Sequence, residues 1–159
     1  MIGTKIYKTD MSNYTECAIW CNQNKATIED KGDYYEVVTL PLPTLEEIKT
    51  AKIAELKAQR DVAEVEPIAY QGYSFDYDSK ARDRISAAIV ALEVAGASTT
   101  LTWTTADNQD VKVTASDLRG IIAQVALRSD KLHTAYRKAK EKVKAAATKE
   151  EVETVELEV

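Results

Sequence analysis

Hydrophobic and polar positions change period several times along this chain, and each change marks an element. Lys5 to Lys8 read as a short strand. Asn13-Tyr-Thr-Glu16 has the spacing of a capping box, in which cap and third residue satisfy each other's free donors. Tyr14, Cys17, Ala18 and Cys21 then fall on one face of a helical period, with Asn22 and Asn24 as helix-ending residues. Trp20 lies off that stripe, so it flanks the core or meets a partner. From Ala26 to Leu40 the pattern becomes that of a hairpin around Asp30-Lys-Gly-Asp33. Pro41-Leu-Pro43 is an extended connector, and Thr44-Leu-Glu-Glu47 is a second capping box opening a helix to about residue 63. Ile48, Ala51, Ile53 and Leu56 make no clean stripe there, which predicts a partly solvated connecting helix completed by another chain.

A second region begins near Pro67. Gln71-Gly72 joins two short β-forming runs, and Asp78 caps a helix whose stripe is Ala81, Ile85, Ala88, Ile89 and Leu92, ended by Gly96. Residues 99–105 and 111–113 predict another hairpin. The last helix, residues 115 to about 146, would extend roughly 48 Å. Along it Leu118, Ile122, Val125, Ser129, Leu132, Tyr136, Ala139, Val143 and Ala146 recur four and three apart, a coiled-coil-like seam with one polar position. So long a seam is expected to pack against the helix at 45–63 or a neighbouring subunit. Val155, Leu157 and Val159 alternate with glutamates like an edge strand open to a partner. The expected fold class is α+β: a small β-α-β-β unit (1–41), a connecting helix (42–66), an α+β domain with the long helix (67–147) and an acidic tail (148–159).

The chain has 159 residues, 45% hydrophobic and 30% charged, which are globular proportions. Its formal net charge of −5 argues against nucleic acid and anionic membranes as partners. No apolar run reaches the ~18 residues of a membrane span, and the first residues lack an apolar signal core, so a cytosolic address is expected. Cys17 and Cys21 lack a second pair of metal ligands and sit on the core face, where thiols pack as small hydrophobes. His133 is the one histidine and has no nucleophile signature nearby. Asp76, Asp78, Asp83, Asp107, Asp110 and Asp117 are explained by turns and caps rather than by calcium or an acid–base pair. Arg128, Lys131, Arg137, Lys138, Lys140, Lys142 and Lys144 read as a solvated helix face near the negative end of the helix dipole. No catalytic residue, metal or cofactor is expected.

Glu66-Pro-Ile-Ala-Tyr-Gln-Gly-Tyr-Ser-Phe-Asp-Tyr-Asp78, Arg82-Asp-Arg-Ile85, Leu101-Thr-Trp-Thr-Thr-Ala-Asp-Asn108, Val113-Thr-Ala-Ser-Asp-Leu118 and Leu132-His-Thr-Ala-Tyr-Arg137 carry a resemblance. The chain from Leu45 onward resembles a domain of unknown function in small proteins of tailed bacteriophages and prophages, often encoded beside tail-fibre genes. Trp20-Cys-Asn22 and Ile28 to Val37 resemble the leaders of some such proteins. The resemblance implies a non-enzymatic role in tail assembly, as a fibre assembly factor or small fibre subunit. Its partner would be a tail-fibre or other tail protein, in a homo-oligomer or hetero-complex. It would work in the host cytoplasm during assembly, or in the virion tail if retained. The alternatives are an accessory to a cell-wall or polysaccharide hydrolase and a host-directed regulatory binding protein. The interaction candidates are Trp20, Trp103, Leu118, Ile122, Val125, Leu132, Tyr136, Val143, Val155 and Leu157. On this reading Leu132→Asp and Val143→Asp weaken self-association or partner binding.

Overall fold

The computed structural model describes residues 1–159 as two compact units, Met1–Thr44 and Leu45–Val159. The fold class is α+β, with small sheets and a long helix near the C-terminal end. In the first unit β1 (Lys5–Tyr7), α1 (Tyr14–Gln23), β2 (Ala26–Asp30) and β3 (Tyr34–Thr39) follow in that order. The antiparallel sheet has the order β1-β3-β2, with Ile6 opposite Tyr35 and Ile28 opposite Val37. Its inner face packs Ile6, Ala26 and Val37 on Cys17 and Cys21 of α1. Gly32, at a φ of 91°, donates its amide to Asp30 and so closes the β2–β3 turn. Asn24 ends α1, its side-chain amide donating to the Trp20 carbonyl.

The capping box expected at Asn13 does not form. Its side chain makes no bond to the helix, and the entry is closed instead by a backbone turn from the Tyr14 amide to the Met11 carbonyl.

The second unit comprises α2 (Leu45–Glu64), the hairpin β4 (Ile68–Tyr70) and β5 (Tyr73–Phe75), and α3 (Ser79–Ala95). The hairpin β6 (Leu101–Thr104) and β7 (Asp110–Val113), α4 (Ala115–Ala145) and α5 (Lys149–Glu153) complete it. The β4–β5 link is the expected two-residue turn, with Gln71 and Gly72 both at positive φ, as a tightly twisted hairpin requires. Asp78 caps α3 by accepting from the Ala81 amide, and Gly96 ends it at a φ of 107°.

Helix α4 is the spine of this unit. Its first half, with α3 and the two hairpins, encloses Phe75, Ile85, Leu92, Trp103, Leu118 and Ile121. Its second half encloses Leu56 of α2, Val143, Val152 of α5 and Val155. The pairs Lys49 with the Lys144 carbonyl, Arg60 with Tyr136, and Glu64 with Ser129 show that α2 runs antiparallel along α4. The segment expected to be a connector is therefore one wall of the second unit. Its covered positions, Leu45, Ile48, Lys49, Lys52, Ile53, Leu56, Arg60 and Glu64, do share one face, and the stripe is unclear in the sequence because four of them carry charged side chains whose stems help fill it.

The seam is correspondingly covered from within. Leu118, Val125, Leu132, Ala139 and Val143 are buried, and Ser129, the one polar seam position, donates its hydroxyl to Glu64. Of the two covers expected, the helix at 45–63 and a neighbouring subunit, the fold supplies the first, α2 being joined by α3 and α5. The helical turn that Thr148-Lys-Glu-Glu151 can start by its spacing does form, closed by a full capping box of Thr148 and Glu151, while the edge strand expected after it does not. Val155 instead packs beside Val143 and Val152.

Gly120 lies inside α4, where glycine ordinarily costs about 1 kcal/mol relative to alanine. The Tyr70 ring rests against its backbone, and a Cβ there would collide with the phenol. Gly120→Ala should therefore lower stability by about 1–2 kcal/mol in urea denaturation, overpacking outweighing the gain in helix propensity. In a Tyr70→Ala background the same change should stabilise.

Candidate protein-interaction surface

Most of the residues singled out for their chemistry have a structural engagement. Asp117 and Thr114 form the capping box of α4. The Thr114 hydroxyl donates to Asp117 Oδ2 at 2.6 Å, and the Asp117 amide donates back to it at 3.2 Å. Gln71 Nε2 also donates to Asp117, tying the first hairpin turn to the start of α4. The Thr114 hydroxyl, and then its backbone amide, hold the Asp117 carboxyl below its usual value.

Asp107 accepts from Thr105, the one buried polar side chain, whose oxygen in turn accepts the Gln109 amide. Asp110 accepts from Thr104 across the β6–β7 pair. The Ala106 amide donates to the Ser74 carbonyl and so joins the two hairpins. Burial pushes the Cys17 thiol up, away from the thiolate form that would make it reactive. No three His, Cys, Asp or Glu residues converge in a way that could hold a metal ion.

His133, Glu64 and Ser129 do come together. Glu64 Oε1 lies 3.4 Å from His133 Nε2 and 2.9 Å from Ser129 Oγ. The carboxylate holds both partners, whereas a serine nucleophile needs the imidazole on its hydroxyl. Beside them the Arg128 guanidinium donates to the carbonyls of Glu64 at 2.8 Å and Glu66 at 2.7 Å, satisfying acceptors at the end of α2. Arg128 is therefore a helix-end clamp between α2 and α4 rather than part of a solvated basic face. The sequence carried no signal for it, because its partners are main-chain atoms some sixty residues earlier.

The ten interaction candidates divide by burial. Trp103, Leu118, Val125, Leu132, Val143 and Val155 are buried in the second unit, with the Arg84 guanidinium 4.7 Å from the Trp103 ring centroid. Ile122, Tyr136 and Leu157 are half-buried at the margins of its cores. The seam is thus not a free surface. Trp20 is the exception in kind. It is half-buried beside the core of the first unit and lines a shallow hollow of about 640 Å³ on α1.

Met1 and Ile19 share that hollow, and Ile19 is 55% exposed. Sequence reasoning missed Ile19, although its place off the Cys17–Cys21 stripe pointed outward as Trp20's did. A smaller hollow of about 290 Å³ lies between α4 and the tail, with Lys131, Lys138 and Lys142 facing Glu156 and Glu158.

Residues 47–157 match the model of a family described as a domain of unknown function, DUF4376. The chain belongs to this family. The match spans nearly all of the second unit, so its hairpins, capped helices and long spine are the family's fold, while α1 and its hollow lie outside it. No curated protein and no solved structure matches the chain.

Two outcomes follow from these placements. Leu132→Asp should lower the stability of the second unit by upwards of about 3 kcal/mol, because it buries a carboxylate without a partner. Circular dichroism of dilute protein should show that loss directly, with no dependence on a binding partner. For Asp117 the folded carboxyl titrates below the unfolded value of 3.8. Its stabilising contribution is therefore complete above that value and lost as pH falls through the folded one. Urea midpoints measured from about pH 6 to pH 2 should show this acid-side loss, and Asp117→Asn should flatten it.

Proposed function

We propose that this chain is a non-catalytic, tail-associated protein of tailed bacteriophages that acts by binding another tail or tail-fibre protein, as an assembly factor or small fibre subunit. The observation that carries the binding reading is the apolar hollow on α1, where Met1, Ile19 and Trp20 present a surface the first unit leaves uncovered. Isolated exposed apolar residues are ordinary, but a grouped set around a concave surface is what protein partners bury. The phage assignment is supported by the resemblance along residues 66–137. Those residues build the hairpins, caps and spine of the DUF4376 unit, so they bear on its fold more than on its chemistry. The carboxylates work as caps and turn locks, which favours recognition over acid–base catalysis.

The test is co-expression with the fibre protein encoded nearest to it. Soluble, trimeric fibre should form with the chain present and fail without it, and the two should co-purify. Ile19→Asp should weaken that co-purification about tenfold or more while leaving the circular dichroism of the chain unchanged. Fibre of equal yield and oligomeric state without the chain, together with no co-purification, overturns the proposal. Mass spectrometry of purified particles then separates a retained subunit from a factor that departs.

A further inference from the structure

Charge in the last part of this chain is sorted by segment. Between residues 131 and 144, α4 carries Lys131, Arg137, Lys138, Lys140, Lys142 and Lys144 against the single carboxylate Glu141. After residue 148 the balance reverses, with Glu150, Glu151, Glu153, Glu156 and Glu158 against Lys149. The fold brings the two segments together. Val155 lies in the core with Val143 and Ala146, and the chain beyond it turns back along α4, where Glu158 Oε1 lies 3.1 Å from Lys142 Nζ. Between them is the hollow of about 290 Å³, floored by Thr134, Ala135 and Ala139, the alanines buried and the threonine half-buried.

The hollow is incompletely neutralised. Lys142 has a carboxylate partner, whereas Lys131 and Lys138 border the same space without an ion pair. Asp130 and Glu156 border it too, and neither pairs with them. Segment 156–159 is lightly held. Its backbone makes no hydrogen bond to the rest of the unit, Leu157 is half-buried, and Val159 is 72% exposed. The Lys142–Glu158 pair joins two exposed side chains, and such pairs stabilise little.

This seating shows what chemistry the groove accepts: an extended run that alternates acids with aliphatic side chains, one glutamate on a lysine and Val159 beside the alanine floor. We infer that this face of α4 is a docking groove for an extended acidic segment of a partner protein, and that residues 156–159 are an internal occupant which such a segment displaces. A nucleic-acid strand would meet the lysines but offers no aliphatic side chain to the floor, and the net charge of −5 opposes its approach. The groove is separate from the α1 hollow, so the inference stands whether or not a phage protein binds there.

Fluorescence anisotropy on the full chain at low ionic strength tests it, with a labelled, end-blocked peptide that repeats residues 156–159 twice. Glu156→Gln with Glu158→Gln removes the charge of the internal occupant, and because both side chains are exposed the fold is kept. That variant should bind the peptide about fivefold more tightly than the unaltered chain, since its own segment competes less. Adding Lys131→Gln, Lys138→Gln and Lys142→Gln should weaken binding about tenfold or more without changing the circular dichroism spectrum.

Equal binding by the unaltered and neutral-segment chains overturns the inference, as does binding indifferent to the lysine changes. No binding to the neutral-segment chain at about a millimolar of peptide overturns it as well. A thymidine oligonucleotide bound more tightly than the peptide through the same lysines would assign the face to polyanions instead.

Discussion

The second unit depends on covering one long apolar edge of α4. A 31-residue helix cannot hide such an edge by itself, and no single neighbour here is long enough to do so. The chain divides the task. α3 and the hairpins take the first half, α2 takes the second, and α5 closes the end where Val143 and Val152 meet. Most other features of the unit serve this division. Arg128 binds the last carbonyl of α2 where its neighbour changes, Tyr70 lies on the gap left by Gly120, and Ser129 has the half-buried Glu64 as its partner.

Much of the fold was legible along the chain because it is dictated locally. The Gln71-Gly72 turn, the Asp78 and Thr114 caps, the Gly96 stop and the continuous period of α4 all depend on residues a few positions apart. What could not be read was which apolar surfaces meet. The heptad of α4 has the same spacing whether its cover comes from α2 or from another subunit, and only the folded chain distinguishes them. The tail was misread for a related reason: alternation at Val155 and Leu157 signals a strand only where the chain meets a sheet, and here it meets the core that α2, α4 and α5 enclose. Asn13 shows the limit of a short motif, since it stands at the cap with the expected spacing yet its side chain makes no bond to the helix.

The candidate surface was only partly legible. Trp20 stood out for its position off the core stripe, but the hollow it lines also needs Ile19 and Met1, which α1 and the chain start bring together. Side chains with chemical potential were easier to find than to interpret. Glu64, Ser129 and His133 form a cluster only because α2 and α4 run antiparallel, and the order of their contacts is that of a structural tie. The apolar groups left exposed include Ile19 on α1 and Val90 and Val94 on α3, while the polar groups of the second unit mostly secure its own turns and helix ends.

Antiparallel pairing of α2 with α4 also imposes a schedule on the newborn chain. The three strands and helix of the first unit lie within forty-four residues and can settle as soon as they leave the ribosome. The second unit begins with α2, whose covers, α4 and then α5, are made after everything else in it. Until α4 has emerged, the apolar side of α2 lacks its main cover. A nascent chain would thus present a finished first unit ahead of an unfinished second one, and the first could engage another protein before the rest has folded.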